Sequence, residues 1–224
     1  MKIIKKLSLS LFYILNRFTS TESIFHKKYF DKKLTWHHPK LSESLSGDGS
    51  GLKQTEIIRK TIPLIIKKYK IKTIFDAACG DFYWMRFVIN NKLNYIGGDI
   101  VKKIIELNKK KYKKKKINFI HSDLTKKDLP KVDLIICRDA LTHLPLDMGI
   151  RAKKNFVKSK SKYLLSTTYS NINKNIDILK GNFRPINLLK SPYTFGKPLL
   201  LINEKCTEKN LKYKKKCLGL WKIN

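Results

Sequence analysis

Three carboxylates sit where a nucleoside would need them. Asp76 ends the apolar run of "KTIFDA" and is followed by a turn of small residues, Ala78, Cys79 and Gly80, then by Asp81 and the aromatics Phe82, Tyr83 and Trp84. Asp99 ends "NYIGGDI", about 20 residues past that turn, the spacing at which an acid hydrogen-bonds ribose hydroxyls. Asp123 ends "INFIHSD", where a carboxylate accepts from an adenine amino group with Leu124 packing nearby. Each acid alone reads equally well as a helix cap. Three in order at three successive strand ends read as a binding edge.

The turn decides the ligand. A dinucleotide site wants Gly-x-Gly-x-x-Gly. On that template this chain presents Ala78, Gly80 and Tyr83, so only the middle glycine survives, and Phe82 and Tyr83 would crowd a pyrophosphate. Asp-x-small-x-Gly is a looser turn that accepts a nucleoside with an amino-acid tail, which describes S-adenosyl-L-methionine. Gly80 is expected to let the ligand approach the backbone, and the helix expected after it to offer free N–H groups. Asp76 is expected to orient the turn or bind the ligand's ammonium. Asp81 and Trp84 would close the methionine end, with Ala78, Cys79 and Ile100 also contacting the cofactor.

A fourth apolar run, "KVDLIICRD", delivers Arg138, Asp139 and His143 to the same edge, Arg138 as a cofactor contact. Methyl transfer from a sulfonium is an in-line displacement in which alignment matters most. A general base is needed only where the acceptor loses a proton. Asp139 and His143 are four apart and share a face if the turn is helical, so His143 would take the proton and Asp139 orient it. The alternative is that Asp139 caps a short helix and His143 packs. "SGDGSGLKQT" could form a lid with Ser46, Ser50 and Thr55 as donors, or a linker ending in a cap. "NIDILKGNFRPINL" reads as an acceptor-binding loop with Asn175, Asp177, Arg184 and Asn187 as contacts, Arg184 suiting a phosphate or carboxylate. The alternative there is loop packing.

The elements that carry these residues alternate. "LKQTEIIRKTIPLIIKKY" has a helical period, bent or divided at Pro63. Strands follow at "KTIFDA", "NYIGGDI", "INFIHSD", "KVDLIICRD" and "KYLLSTTY", with helices expected at "FYWMRFVINNK", "VKKIIELNKKKYKKK" and "LDMGIRAKKNFVKS". That order predicts a parallel sheet covered by helices. "KPLLLINEKC" and "KKCLGLWKIN" have no helix between them and should pair antiparallel. The expected fold is α/β, a Rossmann-like doubly wound sheet with an antiparallel last strand and helices on both faces. Residues 1–45 read as an N-terminal helical extension and residues 46–224 as the domain.

The ordered set "SLSGDGS", "DAACGDFYWM", "YIGGDI", "VDLIICRDALTHL", "YLLSTTY", "NIDILKGNFRPINL" and "LGLW" resembles a class I S-adenosylmethionine-dependent methyltransferase, within a bacterial methyltransferase-domain family. The likeness covers residues 44–222. It implies a sheet of about seven strands with the last antiparallel and S-adenosyl-L-methionine as cofactor. With no nucleophilic Cys or Pro-Pro-Tyr arrangement in the chain, an O or N acceptor is expected rather than carbon, on a small molecule or glycan. Ala78 replaces a commoner glycine and Phe82 a third small residue.

Composition adds less. The 224 residues hold 49 Lys and Arg against 17 Asp and Glu, a formal charge of +32. A polyanion partner is one reading. Lys, Ile and Asn are rich together while Arg is scarce, which fits compositional drift better than phosphate recognition. The charge leaves two alternatives open: an RNA methyltransferase, or a non-catalytic protein binding nucleic acid or a membrane surface through a retained nucleoside fold. Cys79, Cys137, Cys206 and Cys217 form no Cys-x-x-Cys pair, so no zinc site is expected and a reducing cytoplasm is assumed. The run from Leu7 to Leu15 is too short to span a bilayer and reads as an amphipathic helix that packs on the domain or touches a membrane surface.

Overall fold

A computed structural model describes residues 15–31, 33–36, 38, 42–126 and 128–224. Most of the expected N-terminal apolar helix lies outside these residues; 15–18 are helical. Among the described residues no helix is long and apolar enough to cross a membrane.

Seven strands form one sheet: β1 (Thr73–Ala77), β2 (Asn94–Asp99), β3 (Ile117–His121), β4 (Leu134–Cys137), β5 (Tyr163–Tyr169), β6 (Leu200–Asn203) and β7 (Lys216–Lys222). Their order is β3-β2-β1-β4-β5-β7-β6. β1 to β5 pair parallel. β7 runs antiparallel to both β5 and β6, so the two terminal runs pair as their short connection predicts. All four residues of β4 are buried without alternation, which means both faces of the sheet's centre are covered. The strand order reverses between β1 and β4, where ligands lodge in open α/β sheets.

The helices are α1 (Thr21–Phe30), α2 (Glu56–Lys68), α3 (Lys102–Tyr112) and α4 (Leu146–Lys158). α2 runs through Pro63 as one helix and buries Ile58, Ile62 and Ile65, a face with the 3.6-residue period. α1 begins where Ser20 accepts from the Ser23 amide at 3.1 Å, a side-chain cap that satisfies one orphan donor. Phe25 and Tyr29, one turn apart, join the same buried cluster as Phe75, Tyr95 and Leu134. α1 is thus packed into the domain's core.

The helix expected over "FYWMRFVINNK" is absent. One 3-10 turn, Met85–Phe87, stands in its place. Gly80 and Phe82 both take left-handed backbone, at φ +57° each, which an α-helix cannot continue through. Phe82 is rewarded by burial among Tyr95, Tyr112 and Phe119, with ring centroids 4.8, 5.4 and 5.3 Å away.

Candidate functional site

A cavity of about 530 Å³ opens beyond the carboxyl ends of β1, β2 and β4, within the size range of small-molecule sites. It brings together Asp76, Ala78, Cys79, Asp81, Trp84, Asp99, Ile100, Asp123, Leu124, Arg138, Asp139 and His143. Ser46 and Ser50 line it too. Gly80 does not.

The turn after β1 uses its own amides. Ala78 and Cys79 donate to the Gly98 carbonyl at 2.8 and 2.9 Å, Gly80 donates to Asp99 Oδ2 at 3.1 Å, and Asp81 donates to Ser46 Oγ at 3.1 Å. The expected helix N-terminus with free N–H groups is therefore not what this turn offers. Gly80 serves a neighbour. A Cβ there would lie 2.0 Å from Ser46 Oγ, so the missing side chain admits the serine rather than a ligand. Asp81 in turn gathers the Ser-Gly loop, accepting from Ser44 Oγ at 2.8 Å, the Leu45 amide at 2.8 Å and Ser46 Oγ at 2.9 Å. Thr55 is buried, donates to the Gly51 carbonyl at 2.9 Å and leaves the cavity. It holds the loop's exit into α2.

The acids differ in state. Burial pushes the Asp76 carboxyl up to about 7, although Tyr95 donates to its Oδ2 at 2.8 Å. Burial likewise raises Asp99 to about 6 against the donations from Val101 at 2.9 Å and Gly80. Two buried carboxylates poised near neutrality favour a cation between them, because a positive charge restores the ionised form. Asp123 accepts from the Thr125 amide and hydroxyl at 2.9 and 2.7 Å through Oδ1, leaving Oδ2 for a donor. This set of acceptors suits a nucleoside ligand with a positively charged tail.

β4 ends in a buried charge cluster. Arg138 pairs with Glu204 at 2.7 Å and reaches the Gly49 carbonyl at 2.8 Å. Lys216 of β7 pairs with Asp139 at 2.5 Å and stands 3.7 Å from Glu204. Burial alone would raise the Asp139 carboxyl, but Lys216 and Arg138 hold it well below the carboxylate range. Asp139 spends its contacts on Lys216, Arg138 and Thr167, so it does not hydrogen-bond His143 as expected. His143 ends a 3-10 turn, Leu141–His143, and its Nδ1 lies 2.9 Å from the Asn182 carbonyl. A carbonyl only accepts, so Nδ1 carries the proton and Nε2 keeps its lone pair. Burial lowers His143 to about 4, and the ring is neutral at physiological pH.

The loop after β5 contributes differently than its sequence suggests. Asn175 donates to the Asn187 and Ser191 carbonyls at 2.9 and 2.8 Å, and Asn187 donates to the Ile172 carbonyl at 2.8 Å. Asp177 accepts from the Leu146 amide at 2.7 Å, capping α4. Arg184 is buried, giving its guanidinium to the carbonyls of Ile176 at 2.6 Å and Leu141 at 3.1 Å. None of the four lines the cavity. A long irregular loop has backbone groups to satisfy: Asn175, Arg184 and Asn187 donate to its carbonyls and their neighbours, and Asp177 accepts from the amides of Leu146 and Ile178. Phe183 supplies the loop's cavity contact instead.

Sequence alone does not point to several lining residues. Phe25 and Tyr29 of α1 and Trp36 after it roof the cavity, and Tyr169, Tyr213 and Lys216 close its far side. The pairing of Phe25 and Tyr29 one turn apart is the single signal that could have marked the roof. For Lys216, a cation at the edge of a strand-like run, there is none.

Fold and site together resemble those of class I S-adenosylmethionine-dependent methyltransferases. Residues 74–159 match the profile of a family described as a methyltransferase domain. No curated protein matches the chain. Among solved structures, magnesium protoporphyrin IX methyltransferase from Synechocystis PCC 6803, with bound S-adenosylmethionine, aligns over 90% of this chain and 96% of its own at 12% identity and a TM-score of 0.65. Human N-acetylserotonin methyltransferase in complex with S-adenosylmethionine aligns over 91% of this chain and 60% of its own at 9% identity and a TM-score of 0.60. The bacterial Hen1 methyltransferase domain aligns over 52% of this chain and 66% of its own, at 16% identity and a TM-score of 0.47. At these identities the likeness is one of fold.

Proposed function

We propose that the protein transfers a methyl group to an oxygen or nitrogen atom of a small molecule. Bound S-adenosylmethionine supplies an electrophilic methyl on a sulfonium. Asp76 and Asp99 bind its positive charge and ribose, and Asp123 and Leu124 the base. The observation that carries the reading is the arrangement of three strand-end acids around one cavity with a neutral imidazole, His143, at its acceptor end. Where the acceptor gives up a proton as it takes the methyl group, His143 Nε2 would receive it. The roof of α1 and Trp36 favours a small acceptor over a polymer, which would have to thread beneath it. The lid role expected of the Ser-Gly loop reduces in this reading to Ser46 and Ser50 at the cavity wall.

Calorimetric titration with S-adenosylmethionine tests this, with NAD as control. Saturable binding is expected for the sulfonium ligand alone. Asp99→Asn should weaken it about 10- to 100-fold, the worth of a hydrogen bond to a charged group. Binding of NAD, or none at all, would remove the reading.

A further inference from the structure

The far end of the cavity is walled by a continuous run of aromatic rings. Trp36 and His143 lie 5.2 Å apart between centroids, His143 and Phe183 5.5 Å, Phe183 and Tyr213 5.2 Å, and Tyr213 and Tyr169 6.1 Å. Interplanar angles of 48° to 77° make this an arc rather than a stack. The five rings come from the segment after α1, the turn after β4, the loop after β5, the turn before β7 and β5 itself. Five remote segments converge on one wall, and all five rings face the same cavity.

From this arc we infer that the acceptor is a planar aromatic molecule carrying a hydroxyl. This inference rests on the methyltransferase reading and narrows it. Tilted rings at these spacings offer edges and faces to a flat guest, the geometry aromatic pairs prefer. The charged side chains that line the cavity at this end are Asp139, Lys216, Glu208 and Lys209. Asn175, Arg184 and Asn187 are buried against backbone carbonyls and Asp177 is exposed outside the cavity, while Asp139 and Lys216 are bonded to each other. A glycan needs many hydroxyls met by side chains, and each one left unmet on burial is costly. The base argues the same way. An imidazole as weak as His143 is a poor match for an alkyl hydroxyl, whereas a phenol, with a pKa of about 10, gives up its proton far more readily. The bonds balance without further reagents: the phenolic O–H proton moves to Nε2, the oxygen gains the methyl, and the sulfur departs as a neutral thioether.

The test separates the two readings. The protein is saturated with S-adenosylhomocysteine, whose binding is measured first by calorimetry. Saturation-transfer NMR is then recorded with phenol, catechol and 2-naphthol, and with methyl glucoside as the contrasting guest. The aromatic hydroxyls should bind and the glucoside should not. Phe183→Ala and Tyr213→Ala should each weaken aromatic binding by at least about tenfold while leaving S-adenosylhomocysteine affinity unchanged. Failure of all three aromatics to bind the loaded protein overturns the inference, as does binding of the glucoside alone or aromatic binding indifferent to both substitutions. Failure to bind S-adenosylhomocysteine strikes the methyltransferase reading instead.

Discussion

The phenol of Tyr29 donates to Asp99 Oδ2 at 3.3 Å across 70 residues of chain. The bond is long for O–H···O, where about 2.7–2.8 Å is usual. Gly80 and Val101 amides already occupy this carboxylate, which has room for about four donors. Only one place remains open, so a ribose diol and the phenol compete for Asp99.

Removing the phenol frees a place. Tyr29→Phe should tighten S-adenosylmethionine binding by about 3- to 10-fold, the range of one net hydrogen bond. Calorimetry reads it directly. Weaker binding in the variant would make the phenol one of the ligand's own contacts.

Proton uptake follows from the two raised carboxyls. Unfolded Asp ionises near pH 3.9, while folded Asp99 and Asp76 ionise at about 6 and about 7. Between those values the free folded chain holds protons that the unfolded chain has released, so these two groups lower stability as pH rises, levelling off above about 7. A cationic ligand favours the ionised pair. Affinity for S-adenosylmethionine should therefore rise from pH 5 to pH 8, with proton release below about 7. Titration in two buffers of different ionisation enthalpy measures that release, and a pH-independent affinity would contradict it.

The Gly80–Ser46 fit is a stability element. Gly80→Ala forces a Cβ onto Ser46 Oγ and places a side chain at φ +57°. Strain and a displaced hydrogen bond should cost about 2–3 kcal/mol, a fall in Tm of about 4–12 °C. Adding Ser46→Gly should relieve the clash but not the strain. A Tm unchanged by Gly80→Ala would mean that the loop yields freely.

The buried charge cluster should be fragile to single removals. Lys216→Met leaves Asp139 and Glu204 sharing Arg138, and about 3–5 kcal/mol is the usual cost of stranding a buried charge. Lys216→Met with Asp139→Asn should be more stable than Lys216→Met alone, as thermal melts of the full set will read. Additive losses would show that the pair does not interact.

What could be read in the sequence was local. Asp76, Asp99 and Asp123 each close their own apolar run, and the short link between β6 and β7 dictates their pairing, so strand ends and the antiparallel terminal pair were legible. The turn after β1 was half legible: its acid and glycine were visible, but not that Ser46, 35 residues earlier, takes the space and the amide. Asn175, Asp177, Arg184 and Asn187 were misread because a polar residue in a loop looks the same whether it faces a ligand or its own backbone. The ring arc escaped notice because His143 and Phe183 meet Trp36 and Tyr213 only through the tertiary fold.

The charge cluster also bears on how the protein is made. Arg138 and Asp139 leave the ribosome with β4, 66 residues ahead of Glu204 and 77 ahead of Lys216. At about 5–20 residues per second, several seconds pass before their partners exist. Until then the edge of β4 carries charges that resist burial, and the charge cluster that walls the site is completed only when Glu204 and Lys216 have joined it.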